Sequence, residues 1–401
     1  MDRLECPFCH IKKPLDVFDP FCPRCREPML VSYPRFGRII HKERDLSLEK
    51  CGDFLPLGRI DRKLSLGEGN TPLVPLERLR RKWDLPALLA KNETMNPTQS
   101  FKDRGTAVAV QKAASLGIKK IGTVSTGNMA ASTAAYGAKA GLRTVVLLKE
   151  DSTPEKIRST GIHGAALFKV KGDYGKLFRE SYAIGRKHGV YFMNSVDPLR
   201  IEGYKVTGFE IFNQLGNRPP RFVFCPVSSG GHLIGLMRAF LDLKDEALIH
   251  DYPVFVGVQA KGCAPLARAF AQGKEKFQRI YKAETVAHAI SNPDPPGGNL
   301  LLNWIRKTGG LIMAVSDREI LDAQRELAET EGIFADPASA TTLAGLIKIS
   351  KKRPIRLRGE IVLVITGSGL KSMETLEAHD IVVRRVPLSR LEKAIEPVGL
   401  S

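Results

Sequence analysis

A lysine set beside an aromatic ring, between turn residues and a helix, has the most chemical consequence in this chain. It lies in Asn96-Pro97-Thr98-Gln99-Ser100-Phe101-Lys102-Asp103-Arg104-Gly105. Asn-Pro-Thr opens a turn, and Gly105 adds backbone freedom at the far end. Residues 106–116 are Ala/Val-rich with helical spacing, which predicts a helix and puts Lys102 where loop becomes helix. A lysine amine attacks a carbonyl to form a Schiff base only when neutral, and apolar surroundings lower its pKa toward that state. From this decapeptide alone, a surface lysine flanked by Asp103 and Arg104 is an equal reading.

Three further segments bear on the choice. The apolar run Lys120–Val124 leads into Ser125-Thr126-Gly127-Asn128-Met129 and an Ala-rich helix reaching about Gly141. Free N–H groups at such a helix start attract a carboxylate or phosphate, although the same residues serve as plain N-caps. Arg221–Val227 reads as a buried strand followed by Ser228-Ser229-Gly230-Gly231-His232 and a helix, a pattern that cradles phosphate. Ile361–Ile365 is a β-branched strand that presents Thr366 at its carboxyl end, the edge where open parallel sheets bind ligands.

In this order the four pieces resemble the fold-type-II pyridoxal 5′-phosphate (PLP) enzymes, and within them the threonine synthase family. The resemblance runs from Leu66-Gly67-Glu68-Gly69-Asn70-Thr71-Pro72-Leu73 to Lys371. It is carried also by Gly257–Pro265 and by Glu331-Gly332-Ile333-Phe334-Ala335-Asp336-Pro337-Ala338-Ser339-Ala340. It implies that Lys102 holds PLP and that Phe101 packs by its ring. Asn128 would bond the 3′-hydroxyl, Ser228, Ser229, Gly230, Gly231 and His232 would wrap the phosphate, and Thr366 would face the pyridine nitrogen. A hydroxyl there protonates the ring less firmly than a carboxylate would.

The run Asn194-Ser195-Val196-Asp197-Pro198-Leu199-Arg200-Ile201-Glu202-Gly203 matches one in which that family grips the phosphate of O-phosphohomoserine. The resemblance therefore implies Asn194, Ser195 and Arg200 as substrate-phosphate ligands, a role suited to a guanidinium. Ser125, Thr126, Gly127 and Met129 would receive the substrate carboxylate. Lys102 would serve as general base, with phosphate leaving from Cγ and water adding at Cβ. Met129, Gln99, Tyr204 and the Ser-Ser-Gly-Gly-His loop depart from the family pattern, as does Ala289–Gly298. Two other enzyme readings remain: a cysteate synthase-like replacement on O-phosphoserine, and a Ser/Thr dehydratase, which needs no phosphate pocket.

Ahead of this lies Cys6-Pro7-Phe8-Cys9 and, twelve residues later, Cys22-Pro23-Arg24-Cys25. Four thiolates at that spacing suit one tetrahedral zinc in a ribbon, with disulfides as the other reading. Cys225 and Cys263 lie in apolar text and are expected as core fillers, while Cys51 has no reading.

The 401 residues leave room for two α/β bodies and a large core, and a 43% hydrophobic content is ordinary for a soluble enzyme. No apolar run could span a bilayer and the start resembles no signal peptide, so the expectation is cytoplasmic. A net charge of +18, with basic residues at Lys348–Arg353, Arg358, Arg384 and Arg385, admits a nucleic-acid-binding relic of the PLP fold. Those runs lack interleaved aromatics, and an anionic substrate is the simpler partner. The expected architecture is an α/β, two-lobed protein with mainly parallel sheets: ribbon 1–30, large lobe 31–105 and 194–388, smaller mobile lobe 106–193, and tail 389–401. The stretch Arg318–Glu331 is predicted as an amphipathic outer helix, and a homodimer is implied by family habit.

Overall fold

Short β-branched runs recur between helices, and a computed structural model shows how they are gathered. It describes residues 2–33, 48, 50–352, 357–379, 381, 383, 385–390 and 395. Strands β1 (Arg3–Glu5), β2 (Lys12–Pro14) and β3 (Leu30–Ser32) form a small antiparallel sheet in the order β2-β1-β3. Next come β4 (Leu73–Pro75), β5 (Leu88–Asn92), β6 (Lys120–Val124), β7 (Arg143–Lys149), β8 (Ala166–Val170) and β9 (Val190–Phe192). The last four strands are β10 (Phe222–Pro226), β11 (Val254–Ala260), β12 (Leu311–Val315) and β13 (Ile361–Ile365).

Two larger sheets result. One has the order β12-β11-β10-β13-β5-β4, parallel except for β4 on β5. The other, β8-β7-β6-β9, is parallel throughout. Strands β10 and β13 are buried at every residue, as expected of parallel strands covered by helices on both faces. Parallel strands present their ends at a sheet's carboxyl edge, and the turns after Val124 in one sheet and after Pro226 and Ile365 in the other line one cleft.

The helix predicted from residue 106 starts at Lys102 and runs to Ser115, while the Asn128 helix ends at Lys139. The predicted outer helix spans Asp317–Glu331, begins with a Ser316/Glu319 capping box, and buries Ile320, Ala323 and Leu327. Cys225 and Cys263 are fully buried.

The Lys102 helix lies against the Pro198–Gln214 helix at unusually close range. A Cβ on Gly203 would sit 2.3 Å from the Arg104 carbonyl oxygen, and one on Gly105 would sit 2.6 Å from the Tyr204 ring. Only glycine permits that approach.

Behind Lys102 the same helix carries Arg104, whose guanidinium joins Glu93 and Glu210 at 2.5–2.8 Å; Lys91 bonds Glu210 at 2.6 Å. Burial pushes both carboxyls up, but Arg104 outweighs it and holds them below the ordinary range. Two cations facing two anions make the cluster neutral, which is what permits it in a core. A second buried group ties the end of the ribbon sheet to the body. Tyr33 donates to Glu202 at 2.7 Å, Lys205 bonds Tyr33 and Asp242 at 2.7 Å, and Arg238 donates to the Val31 carbonyl at 3.1 Å.

The basic C-terminal run is dispersed where it is described. Lys348 bonds the Ala314 carbonyl and Glu319, and Lys351 lies over the Trp83 ring. Arg353, Arg384 and most of the tail lie outside the described residues. No described helix is long and apolar enough to cross a membrane.

Candidate active site

Helix geometry puts Lys102 at the first turn, with its side chain directed back over Phe101. Its amine lies 4.1 Å from the Phe101 ring centre and 5.9 Å from that of Tyr204. Burial lowers the amine to about 7, and the Arg200 guanidinium adds to the effect. A substantial fraction of this lysine is therefore neutral near pH 7, so it can act as both nucleophile and base.

Around it runs a cleft of about 960 Å³. Phe101, Lys102, Ser125, Thr126, Gly127, Asn128, Met129, Ser195, Ser228, Ser229, Gly230, Gly231, His232 and Thr366 all line it. The Asn128 side chain reaches toward the turn after β13: a Cβ on Gly367 would lie 3.1 Å from its Nδ2. The turn at Ser228–Gly231 is shaped by Gly230, which takes φ +94°, and by Gly231, where a Cβ would strike the Ser195 carbonyl at 2.5 Å. Asn292 donates to Ser229 at 2.8 Å and braces the turn from the stretch that departed from the family pattern.

His232 stacks face to face on Phe101, with ring centres 3.7 Å apart and planes 16° from parallel. Burial first, then Lys102, holds its imidazole well below the usual histidine range, so it is neutral. Nδ1 lies 3.6 Å from the Cys225 sulfur, whereas Nε2 is buried without a hydrogen-bond partner. An orphaned buried nitrogen is costly and calls for a polar guest. That atom, the glycine turn, the volume and the neutral lysine all fit a phosphorylated pyridine aldehyde.

Two expected phosphate ligands sit elsewhere. Asn194 is fully buried, accepts from the Val124 N–H at 2.8 Å and donates to Ser181 at 2.9 Å, so its amide clips β6 to the Tyr174–His188 helix. Arg200 is fully buried beneath Lys102 and outside the cleft lining. Its Nε donates to the Met193 carbonyl and Nη2 to Thr133, both at 2.8 Å, while Nη1 has only 3.5 Å contacts to Lys102 and Tyr204 oxygens. No ion-pair partner for it appears among the described residues. Ser195 alone of the three faces the cleft.

Sequence reasoning gave no role to Asp336 or Ser339. Asp336 lines the cleft and accepts from the Ser339 N–H at 2.7 Å and its hydroxyl at 2.6 Å; that hydroxyl lies 2.9 Å from Thr366 Oγ1.

The four ribbon sulfurs lie within 4.8 Å of one another, with Cys6–Cys25 and Cys9–Cys22 at 3.4 Å and every thiol free. Zinc–sulfur bonds of about 2.3 Å in a tetrahedron place sulfurs about 3.8 Å apart, so the donor set fits. The two knuckles are the same turn made twice. His10 N and Arg26 N each bond the first cysteine's carbonyl at 3.0 Å, and each of those two residues takes a φ near +60°. The ribbon also walls the cleft: Phe21, Cys25, Arg26 and Glu27 line it, and Asn299 donates to Glu27 at 2.8 Å. On the other side Phe21 meets Tyr182 edge-on at 5.2 Å, and Asp16 pairs with Arg186.

A lysine on a loop–helix junction, a glycine turn and a strand-end hydroxyl around one cleft are the arrangement of a PLP-type cofactor enzyme. Residues 64–367 match the pyridoxal-phosphate-dependent enzyme family, and the chain belongs to it. Among similar proteins are threonine synthases. That of Methanocaldococcus jannaschii is 36% identical over 82% of each chain, and that of Methanosarcina acetivorans is 34% identical over 94% of each. A solved structure of a threonine deaminase from T.th. superposes with a TM-score of 0.61 at 25% identity, covering 75% of this chain and 92% of that one. A fungal L-serine ammonia-lyase from Rhizomucor miehei gives 0.66 at 19% identity, covering 77% and 97%, a likeness of fold alone.

Proposed function

We propose that this chain converts O-phospho-L-homoserine and water to L-threonine and phosphate, the threonine synthase reaction, with PLP as cofactor. The observation that carries the choice of substrate is Arg200, a buried guanidinium beneath Lys102 that makes no direct ion pair among the described residues and is balanced at longer range by the buried Asp197 carboxylate. A phosphate brought into the cleft above it gains from that charge. A deaminase acting on free serine or threonine has no phosphate to supply.

Lys102, Asn128, the Ser228–His232 turn and Thr366 would hold the cofactor, which acidifies the substrate Cα–H by drawing electrons into its ring. The N–H groups opening the Asn128 helix suit the substrate carboxylate, since a Met129 thioether donates no hydrogen bond. Lys102, neutral near pH 7, removes the Cα proton and then one from Cβ; as phosphate leaves, a proton is delivered to Cγ, water adds its hydroxyl at Cβ, and Lys102 returns a proton to Cα at the end. Arg200 draws the leaving phosphate toward the floor of the cleft, and Ser195 donates to it from the wall. Asn194 supports this indirectly by fixing the strand that carries the Ser125 turn.

Zinc in the Cys6, Cys9, Cys22 and Cys25 ribbon is part of the same proposal, supported by the sulfur spacing. So is the division into a larger body (31–105 and 194–388) and a smaller mobile one (106–193), supported by β6–β9 pairing only with one another. A cytoplasmic homodimer is the setting the resemblance implies, and sedimentation of the holoenzyme tests the dimer. The function itself is tested by a substrate panel of phosphohomoserine, phosphoserine with sulfite, threonine and serine. Phosphate release with threonine from the first alone is the expected result. Keto acid from free threonine or serine as the dominant product would refute it.

A further inference from the structure

The stretch Ala289–Gly298 departs from the family pattern, and the fold fastens it at two places. One is the glycine turn at Ser228–Gly231. Gly297 N–H donates to the Ser229 carbonyl at 3.0 Å, and a Cβ on Gly297 would lie 2.7 Å from that oxygen. Asn292 adds a second tie to the same turn. Its Oδ1 accepts the Asp294 N–H at 3.1 Å, which fixes the amide's orientation and leaves Nδ2 to donate to Ser229 Oγ at 2.8 Å. One amide thus joins the turn to Asp294.

The other attachment is to the Tyr174–His188 helix. Asp294 faces Arg179 at 3.5 Å, and Arg279 bonds Asp173 at 2.6 Å. Ile280 N–H donates to the Pro293 carbonyl at 3.0 Å, so Arg279 and Asp294 start from one anchor. A Cβ on Gly175 would lie within 3.6 Å of the Asp173, Arg179 and Asp294 side chains, which shows how closely these charges gather at the helix start. Pro293, Pro295 and Pro296 stiffen the chain between the two attachments. All four charged side chains are partly exposed, so each pair is weak and screened by salt. Weak pairs suit a contact that must open and close.

We infer that residues 279–297 form a strap through which an occupied Ser228–His232 turn closes the smaller body (106–193) over the cleft. Asn292 is the positioning residue, and the Asp294–Arg179 and Arg279–Asp173 pairs are the latch. The inference rests on the cofactor phosphate lying in that turn, as in the proposed function. An anion there accepts a hydrogen bond from the Ser229 hydroxyl. A hydroxyl that donates to an anion accepts more strongly from the amide behind it. The Asn292 bond tightens, Asp294 is held toward Arg179, and the helix is drawn in. The linkage is reciprocal, so whatever opens the latch also loosens the cofactor.

Hydrogen–deuterium exchange of the full chain, without and with PLP, tests the strap segment by segment. In wild type, PLP should slow exchange several-fold in the Ser228–His232 turn, the Ala289–Gly298 stretch and the Tyr174–His188 helix. Asn292→Ala should keep the slowing at the turn and lose it at the helix. Asp294→Arg should lose it at the helix too. Combining Asp294→Arg with Arg179→Asp should restore it, because the exposed pair is rebuilt with its signs exchanged. Slowing at the wild-type turn with none at the helix would overturn the strap alone. So would helix slowing that survives both Asn292→Ala and Asp294→Arg, or a charge swap that fails to restore it. No slowing at the turn itself would mean that the cofactor phosphate lies elsewhere, and the reading beneath the strap would fail first.

Discussion

One amine, its pKa lowered to about 7 by burial and by a guanidinium beneath it, carries the reactivity proposed for this protein. An ordinary lysine is almost wholly protonated at neutral pH. Lowering Lys102 to about 7 shifts the balance so that neutral amine is present before any partner arrives. The sign is definite: with a depressed pKa, the neutral fraction rises as pH climbs through 7, about three pH units earlier than for a free side chain. The rate at which apoprotein captures PLP should therefore increase between pH 6 and 8 and then level off. A rate still climbing steeply at pH 10 would place Lys102 in solvent. The complementary experiment is on Arg200. Arg200→Ala should lower kcat/KM for phosphohomoserine by on the order of 30-fold or more, about 2 kcal/mol, because a desolvated charge partner is lost. An equal fall in any threonine deamination would mean that Arg200 only shapes Lys102.

At the scale of elements, two helices touching through glycine decide where that lysine sits. Gly203→Ala would drive a methyl to 2.3 Å from the Arg104 carbonyl, so one helix must move. Overpacking of this kind costs about 1–3 kcal/mol. Denaturant unfolding should show that loss, and PLP affinity should fall with it because Lys102 opens the displaced helix. Unchanged affinity in a destabilised variant would show that the amine's position is set elsewhere.

The elements also show what could be read from sequence. The strand Lys120–Val124, the strand Ile361–Ile365 and the cysteine knuckles were legible, since period, β-branching and spacing are local properties. Lys102 stands where loop becomes helix, as the spacing predicts, but the helical pattern is plain only from residue 106, because the polar Lys-Asp-Arg turn pairs Arg104 with distant Glu93 and Glu210. The motif marks Asn194 and Arg200 as phosphate ligands but cannot show their burial, which depends on Ser181, Thr133 and Met193, contacts across the fold. Asp336 lies in a stretch that carries the resemblance but shows no role of its own there. Its place in the site appears when β13 brings Thr366 against Ser339.

Over the whole molecule, the ribbon joins the body of the protein at both sides of the cleft. It meets the Tyr174–His188 helix through Phe21 and Asp16, and it meets Asn299 through Glu27. Three short strands bury too little to persist alone, so the zinc proposed for the four cysteines should hold this wall in shape. Chelation of the metal, checked by metal content, is expected to add or lower a thermal transition and to raise KM more than it lowers kcat. If metal-free protein keeps its unfolding temperature and KM, the ribbon is independent of the cleft. None of this, nor the closing of two mainly parallel sheets around one lysine, is visible in the spacing of four cysteines.

The most direct test is to load the protein with PLP, supply O-phospho-L-homoserine, and measure threonine and inorganic phosphate together. Equal amounts of both, abolished by Lys102→Ala, are the predicted result. Phosphate absent, or phosphate accompanied by keto acid and ammonia in place of threonine, would contradict the account.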